Sequence, residues 1–322
     1  MRQYEMLVQS KSSGQIYDIT NCVTSADWTT QRCDQPGKLT FQALISDSWQ
    51  MEPGDVVRFS MDSQLQFYGW VFTKADSRWG ESDITCYDRL RYLKANASYA
   101  FYNQSASDII RQIAGDLQLT TGSLADTGYQ LPSLIEQNKT CFDIIQDAIE
   151  QTLLNTSMLY VLYDDGNGLA LQQPSSMISD VVLGDLSLLT DYTFTTDIDK
   201  DTYNSIKLVK PNAETGRAEV YLSEDSGNIG QWGLLQLYQT VDDSKNEAQV
   251  KAQGTAMLEY YNRATRTLKV EALGVSGLRA GQMVLIKSEE IAGGISQYVM
   301  IEKASHHYEN GIHTMTLDMY EL

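Results

Sequence analysis

Imidazole is the side chain best suited to proton transfer and metal binding near neutral pH. The only histidines, His306, His307 and His313, lie close together. Asn310-Gly311 between them is the residue pair that favours a two-residue hairpin turn. Pairing about that turn sets Tyr308 opposite His313 and places His306 and His313 diagonally on one face. A metal centre needs about four ligands, and no Cys or further His lies nearby in sequence. The expectation is therefore two imidazoles that face solvent or an interface. A histidine–serine or histidine–cysteine pair could arise only through this hairpin, and no GxSxG nucleophile motif is present.

Other candidates carry less. Gly227-Asn228-Ile229-Gly230-Gln231-Trp232-Gly233 fits neither GxGxxG nor a P-loop ending in Lys-Ser/Thr, so it reads as a loop with tight backbone turns. Asp164-Asp165-Gly166-Asn167-Gly168 lacks the alternating ligands and distal Glu of a calcium loop and has the composition of a β-hairpin turn. Among 42 acidic residues no pair can be singled out for glycosidase chemistry. Trp70, Trp79 and Trp232 are expected in the core or at subunit contacts rather than as sugar platforms. Cys22, Cys33, Cys86 and Cys141 show neither CxxC spacing nor clustering, and read as reduced thiols. No catalytic, cofactor-binding or metal-binding residue is assigned, and no enzymatic activity or cofactor is expected.

Composition narrows the partners. The 322 residues carry 42 Asp+Glu against 24 Lys+Arg, a net charge of −18. Such a surface disfavours phosphate backbones and anionic membranes, since each bound phosphate normally needs a cation to neutralise it. No apolar run approaches the ~20 residues of a membrane-spanning helix. The opening residues alternate polar and apolar types and lack a signal-peptide core. The chain is expected to be soluble, made in a cytoplasm and not exported by a standard signal, which leaves the sequons at Asn96, Asn103, Asn138 and Asn155 without meaning. Nineteen tyrosines against five prolines fit an ordered, strand-rich fold.

The elements that must position these residues fall into three stretches. Residues 1–95 read as a β-domain: Tyr4–Gln9, Leu39–Leu44, Val56–Met61, Gln64–Lys74 and Ser82–Asp88 follow strand patterns. Asp62-Ser63 is a two-residue turn candidate, and Arg89–Lys94 a short helical exit. Residues 96–190 form an α+β segment. Ser105 or Ser107 caps a helix with Ile109, Ile110, Ile113, Ala114 and Leu117 on its apolar side. Thr140 caps a second helix, with Ile145, Ile149 and Leu153 inward. Residues 191–322 return to β with one helix, about Ser244–Arg263, which spaces Ala248, Ala252, Ala256 and Tyr260 by four.

The two β-regions resemble each other. Leu39–Leu44 parallels Leu268–Leu273; Pro53-Gly54-Asp55-Val56-Val57 parallels Ala280-Gly281-Gln282-Met283-Val284. Lys74-Ala75-Asp76 parallels Lys303-Ala304-Ser305, and Trp79 then falls opposite Tyr308. The near-constant offset of 227–229 residues points to a duplication. The expected fold is mainly β with an α+β insertion: two similar β-barrel domains bracketing a central α+β domain. An internal two-fold repeat combined with cyclic symmetry would place six similar barrels in a trimer.

Several ordered pieces also carry a family resemblance. Phe67-Tyr68-Gly69-Trp70-Val71 with Asp83-Ile84-Thr85-Cys86-Tyr87-Asp88-Arg89-Leu90 is similar to the end of a first tube-like barrel. Ser105–Ile110 and Thr140–Ile145 are similar to the two central helices. Tyr192-Thr193, Asn204–Leu208 and the Leu278-Arg279-Ala280-Gly281 turn are similar to the route into the second barrel. Together they resemble the baseplate hub proteins of contractile phage tails and tail-like particles, the late-control-protein-D-like hubs of Gram-positive prophages. That resemblance implies tail-tube-like barrels in a homotrimeric pseudo-six-fold ring, which joins a hexameric tail tube to a trimeric spike. It implies as partners other copies of the chain, the tail tube protein, the central spike, other baseplate proteins and a tape-measure protein in the lumen. The implied location is the baseplate of a virion or tail-like particle assembled in the host cytoplasm. The family brings no catalytic set. The alternative is an enzymatic or carbohydrate-binding, wall-directed component of the same particle.

Overall fold

Alternation of apolar and polar residues builds the first sheet, because successive strand side chains point to opposite faces. The computed structural model describes residues 4–44, 51–78, 80–185, 187–212, 217–241 and 246–320. The first seven strands are β1 (Tyr4–Gln9), β2 (Ile16–Asp18), β3 (Val23–Gln31), β4 (Lys38–Leu44), β5 (Val56–Met61), β6 (Gln64–Asp76) and β7 (Glu81–Tyr87). On β4 the odd positions Leu39, Phe41 and Ala43 are buried while Gln42 and Leu44 are exposed. They join Met6, Val8, Val57, Phe59, Val71 and Ile84 in one core. Asp62 and Ser63 both take positive φ, 50° and 67°, and turn β5 into β6 as Met61 pairs with Gln64.

A 3-10 turn, Arg89–Lys94, leads into β8 (Asn96–Gln104), α1 (Ala106–Asp116), β9 (Thr121–Leu124), β10 (Leu131–Thr140), α2 (Cys141–Thr156), β11 (Val161–Asp164) and β12 (Leu169–Gln172). Both helices start where the capping residues stand. Ser105 Oγ accepts from Asp108 N at 3.2 Å, and Thr140 Oγ1 from Asp143 N at 3.1 Å. Each satisfies an N–H that the first turn leaves without an intrahelical partner. Ile109, Ile110 and Ile113 of α1 meet Ile145 and Ile149 of α2 in a second core.

The chain continues through β13 (Ile178–Gly184) and β14 (Leu189–Asp197) to β15 (Ser205–Asn212), β16 (Arg217–Glu224), α3 (Ser226–Trp232), β17 (Gln236–Thr240) and α4 (Glu247–Tyr261). It then enters β18 (Thr265–Leu273), β19 (Met283–Ser288), β20 (Ile295–Glu309) and β21 (Ile312–Tyr320). Within this last stretch Phe194–Leu268 forms a compact unit of its own; the described parts of Met1–Thr193 and Lys269–Tyr320 form the other. The smaller unit packs α4 on the sheet β16-β15-β17 around Ile206, Leu208, Val241 and Val250. The buried face of α4 carries Val250 and Gly254, whereas the evenly spaced Ala248, Ala252, Ala256 and Tyr260 are exposed. Gly254 is the reason: a Cβ there would come within 2.8 Å of Ser223 Oγ, so the helix approaches the sheet on its glycine side.

In the large sheet the two β-regions repeat one strand order, β3-β4-β7-β6-β5 and β14-β18-β21-β20-β19. The likeness reaches single hydrogen bonds. Gly54, at φ 99°, donates to Val71 O while Val71 N donates to Asp55 O. Gly281, at φ 88°, donates to Ile301 O while Ile301 N donates to Gln282 O. Both long strands then break register at the matching place, Val71/Thr73 and Ile301/Lys303. This pairs Lys303 with Thr73, one residue away from the Lys74 match expected from sequence. Trp79 lies outside the described residues. The repeats meet inside the chain where β20 pairs antiparallel with β3, from Lys303 opposite Gln31 to Glu309 opposite Ser25.

Candidate functional site

Four charged side chains converge where the first repeat, the central segment and the second repeat touch. Asp88 ends the first repeat and caps the 3-10 turn. Its carboxylate accepts from Leu90 N at 3.0 Å and from Gly37 N at 2.9 Å. Gly37 must lack a side chain, because a Cβ would lie 2.3 Å from Asp88 Oδ2. Arg89 follows and turns to the β11–β12 hairpin. Its Nη1 donates to Asp164 Oδ1 at 2.8 Å and Oδ2 at 3.0 Å, and its backbone N to Oδ2 at 3.0 Å. The guanidinium lies 4.9 Å from the Tyr68 ring centre and 5.5 Å from that of Trp70, so aromatic faces replace the water it has lost. Arg279, from the turn before β19, stacks on Tyr163 at 4.5 Å and donates to Asp164 O at 2.7 Å.

Burial decides what this cluster can do. Arg89 and Asp164 side chains keep only 10% and 2% of their surface exposed. Burial, and then the charge of Asp164, push the Asp88 carboxyl well above its ordinary range, while Arg279 pulls the other way. Burial likewise lowers the Arg279 guanidinium, opposed by Asp88. Among the described residues the buried Arg279 Nε meets no acceptor. The adjoining cavity, about 30 Å³, is far below the ~300 Å³ of a small-molecule pocket. The cluster therefore fastens three segments together. Glycines allow the close approach: a Cβ on Gly166 would meet Leu65 at 2.5 Å, and one on Gly281 would meet Val161 at 2.6 Å. Ala280 N donates to Thr30 Oγ1 of β3 at 2.9 Å, and Gly277 N to Gln66 Oε1 at 2.6 Å.

The histidines behave differently from expectation. The hairpin pairs Tyr308 with His313 about Asn310-Gly311 as predicted, and His306 and His313 share a face. That face is buried: the two are 1% and 7% exposed, which corrects the solvent- or interface-facing reading. The segment between β18 and β19 closes over it: the Leu278 carbonyl meets His306 and Gly274 lies so close that a Cβ would strike the His313 ring, while β3, paired beside β20, stacks Trp28 on His306 at 5.0 Å. His306 Nε2 lies 2.7 Å from Leu278 O, and a carbonyl only accepts, so Nε2 carries the proton. His306 Nδ1 then accepts from His313 Nε2–H across 3.0 Å. Burial lowers the His306 pKa to about 4. His307, on the other face, pairs with Asp27 at 2.7 Å, which raises its pKa.

The remaining candidates disperse. The glycine-rich run is helix α3 rather than a loop. Asp225 caps it by accepting from Gly227 N and Asn228 N, and Gly233 ends it at φ 82°. Asp164–Gly168 does form the β11–β12 turn, but Asp164 is one half of the buried ion pair. Trp70 sits in an aromatic group with Tyr68 and Tyr92, and Trp232 is half-buried at the end of α3. All four cysteines are free thiols, Cys86 and Cys141 buried. Among the described residues no three His, Cys, Asp or Glu are grouped to hold a metal ion. Sequence reasoning missed the joint itself. The available signal was the recurrence of Asp88-Arg89, Asp164 and Arg279 at segment ends.

The fold is similar to that of solved phage tail proteins. The 43 kDa tail protein of prophage MuSo2 from Shewanella oneidensis superposes with a TM-score of 0.73 at 12% identity, covering 98% of each chain. The tail protein from Neisseria meningitidis MC58 gives 0.69 at 14% identity, over 99% of this chain and 96% of that one. The YQBQ-like family profile matches residues 26–320, and the chain belongs to that family. Its relatives include the uncharacterized protein YqbQ of Bacillus subtilis (strain 168), 30% identical with 90% of each chain covered. Another is the phage-like element PBSX protein XkdQ of the same organism, 30% identical over 85% of this chain and 83% of that one.

Proposed function

We propose that this chain is a structural protein of a phage or phage-like tail baseplate. Its finer role is that of the hub: a homotrimeric, pseudo-six-fold ring between the hexameric tail tube and the trimeric spike. The carrying observation is the repeated strand order within one chain, joined at the β3–β20 seam. A chain with two equivalent tube-like modules supplies six when three copies close a ring. The relative XkdQ, named for a phage-like element, and the tail-protein folds support the same reading. On this reading residues 1–95 and 191–322 carry the tube-like modules and 96–190 the central domain, and the role is non-enzymatic. The partners are the tube protein, the spike and other baseplate proteins, at the baseplate of a particle assembled in the host cytoplasm. A net charge of −18 suits a lumen past which a polyanion or tape-measure protein moves without sticking. Native mass measurement of the chain co-expressed with its spike tests the role. Three copies per complex are expected; two or six would refute it.

A further inference from the structure

The internal seam uses one edge from each repeat and leaves the matching edges free. In the second repeat, the C-terminal part of β20 has β21 on one side and β3 on the other. Its counterpart in the first repeat, Thr73–Asp76 of β6, pairs with β7; the β5 pairing stops at Trp70. Among the described residues that stretch has no strand on its other side. In the first repeat β3 lies between β4 and β20. Its counterpart β14 pairs with β18 alone among the described residues and terminates the strand path. A free edge presents a row of backbone donors and acceptors ready to pair with another strand.

We infer that β14 of one copy pairs with the Thr73–Asp76 edge of β6 in the next copy, repeating between chains the β3–β20 seam found within each chain. This rests on the ring proposed above and names the surface that closes it. The contact is heterologous: each copy offers β14 on one side and β6 on the other, so identical contacts propagate until the ring closes. The internal seam shows what accompanies the pairing. Arg32 Nε holds Glu302 at 2.7 Å, and Arg32 N donates to Glu302 O at 2.9 Å, pinning the end of the strand pair.

Ala75 and Thr193 are both exposed and lie on the two free edges. Paired strands run about 5 Å apart, so a bismaleimide reaching about 10 Å spans the contact even with a shifted register. Particles assembled from the Ala75→Cys/Thr193→Cys double variant should give cross-linked dimers and trimers at least tenfold above either single variant, which measures background from the native cysteines. Hydrogen exchange on the unaltered chain gives a second reading: amides 73–76 and 189–193 should both slow on assembly. A three-copy complex with cross-links at background, or with either segment exchanging as fast as before, overturns this pairing and leaves the ring standing. A complex without three copies overturns the ring itself.

Discussion

Replacing Asp164 with Ala strips the joint of the acceptor that holds Arg89 by side chain and backbone together. It also frees Gly166 N, which donates to Asp164 Oδ1 at 2.8 Å. With side chains only 10% and 2% exposed, the remaining guanidinium stays buried without its counter-charge. Breaking one half of such a pair costs about 3–5 kcal/mol, a large part of the ~5–15 kcal/mol that holds a domain folded. Two compact units make a single global transition a poor measure. Local hydrogen exchange is the better assay. Protection in the β11–β12 hairpin and Arg89–Lys94 should fall by roughly two to three and a half powers of ten, since about 1.4 kcal/mol is a factor of ten. Protection in α4 should hold. The Arg89→Met/Asp164→Leu double variant should recover much of the loss, because an apolar pair avoids the desolvation that the ion pair carries. A single variant within ~0.5 kcal/mol of wild type, the range of surface changes, would refute the reasoning, as would a double variant no better than the single.

Three further outcomes follow from other elements. His306 has a folded pKa of about 4, below the free value of 6.5, so between those pH values the unfolded chain binds a proton that the folded chain does not. Stability should therefore fall as pH drops through that window, by about 3 kcal/mol below pH 4; the free energy of opening read by hydrogen exchange in the β20–β21 hairpin should vary less across it in His306→Gln, and an unchanged slope would refute this. Asn310 and Gly311 hold φ of 50° and 75°, so replacing both with Val should cost about 1–3 kcal/mol per residue. It should impair particle assembly in a complementation assay while circular dichroism shows the central helices intact; normal assembly would remove the hairpin from the assembly surface. Cys86 and Cys141 are fully buried and burial raises both thiols, as it does that of half-buried Cys33, so iodoacetamide should label half-buried Cys22 first; equal labelling of Cys86 in native protein would contradict the core.

Local rules carried the fold furthest where one residue decides one bond. Ser105 and Thr140 cap their helices because hydroxyl and amide are three residues apart, a relation visible in sequence. Asn310-Gly311 set the hairpin register and with it the shared face of His306 and His313. What closes in that face is the segment carrying Gly274 and Leu278, with Trp28 of β3, nearly three hundred residues earlier, stacked alongside, and no local pattern announces such contacts. The same holds at the joint. Asp88 read as the end of a strand, Arg89 as the start of a helical exit and Asp164 as a turn residue, yet Arg89 and Asp164 pair across 75 residues, a contact that exists only once their segments dock. The glycine-rich run misled because glycine disfavours helix interiors, while a well-placed Asp225 supplied enough capping to start α3.

The β3–β20 seam also orders events in time. Thr29 bonds Ser305 across 276 positions, so β3 leaves the ribosome long before its partner exists. At about 5–20 residues per second the wait is roughly 15–55 s, during which an edge strand of a nearly finished module stands uncovered. Another nascent chain from the same messenger offers the same β20, and a strand taken from it would tie two polypeptides together before either is complete. Rapid collapse of the first module and delayed release of the last hairpin thus bear on the yield of usable subunits. Truncations that remove only β20 and β21 should send the product to aggregates rather than to a shortened but serviceable subunit.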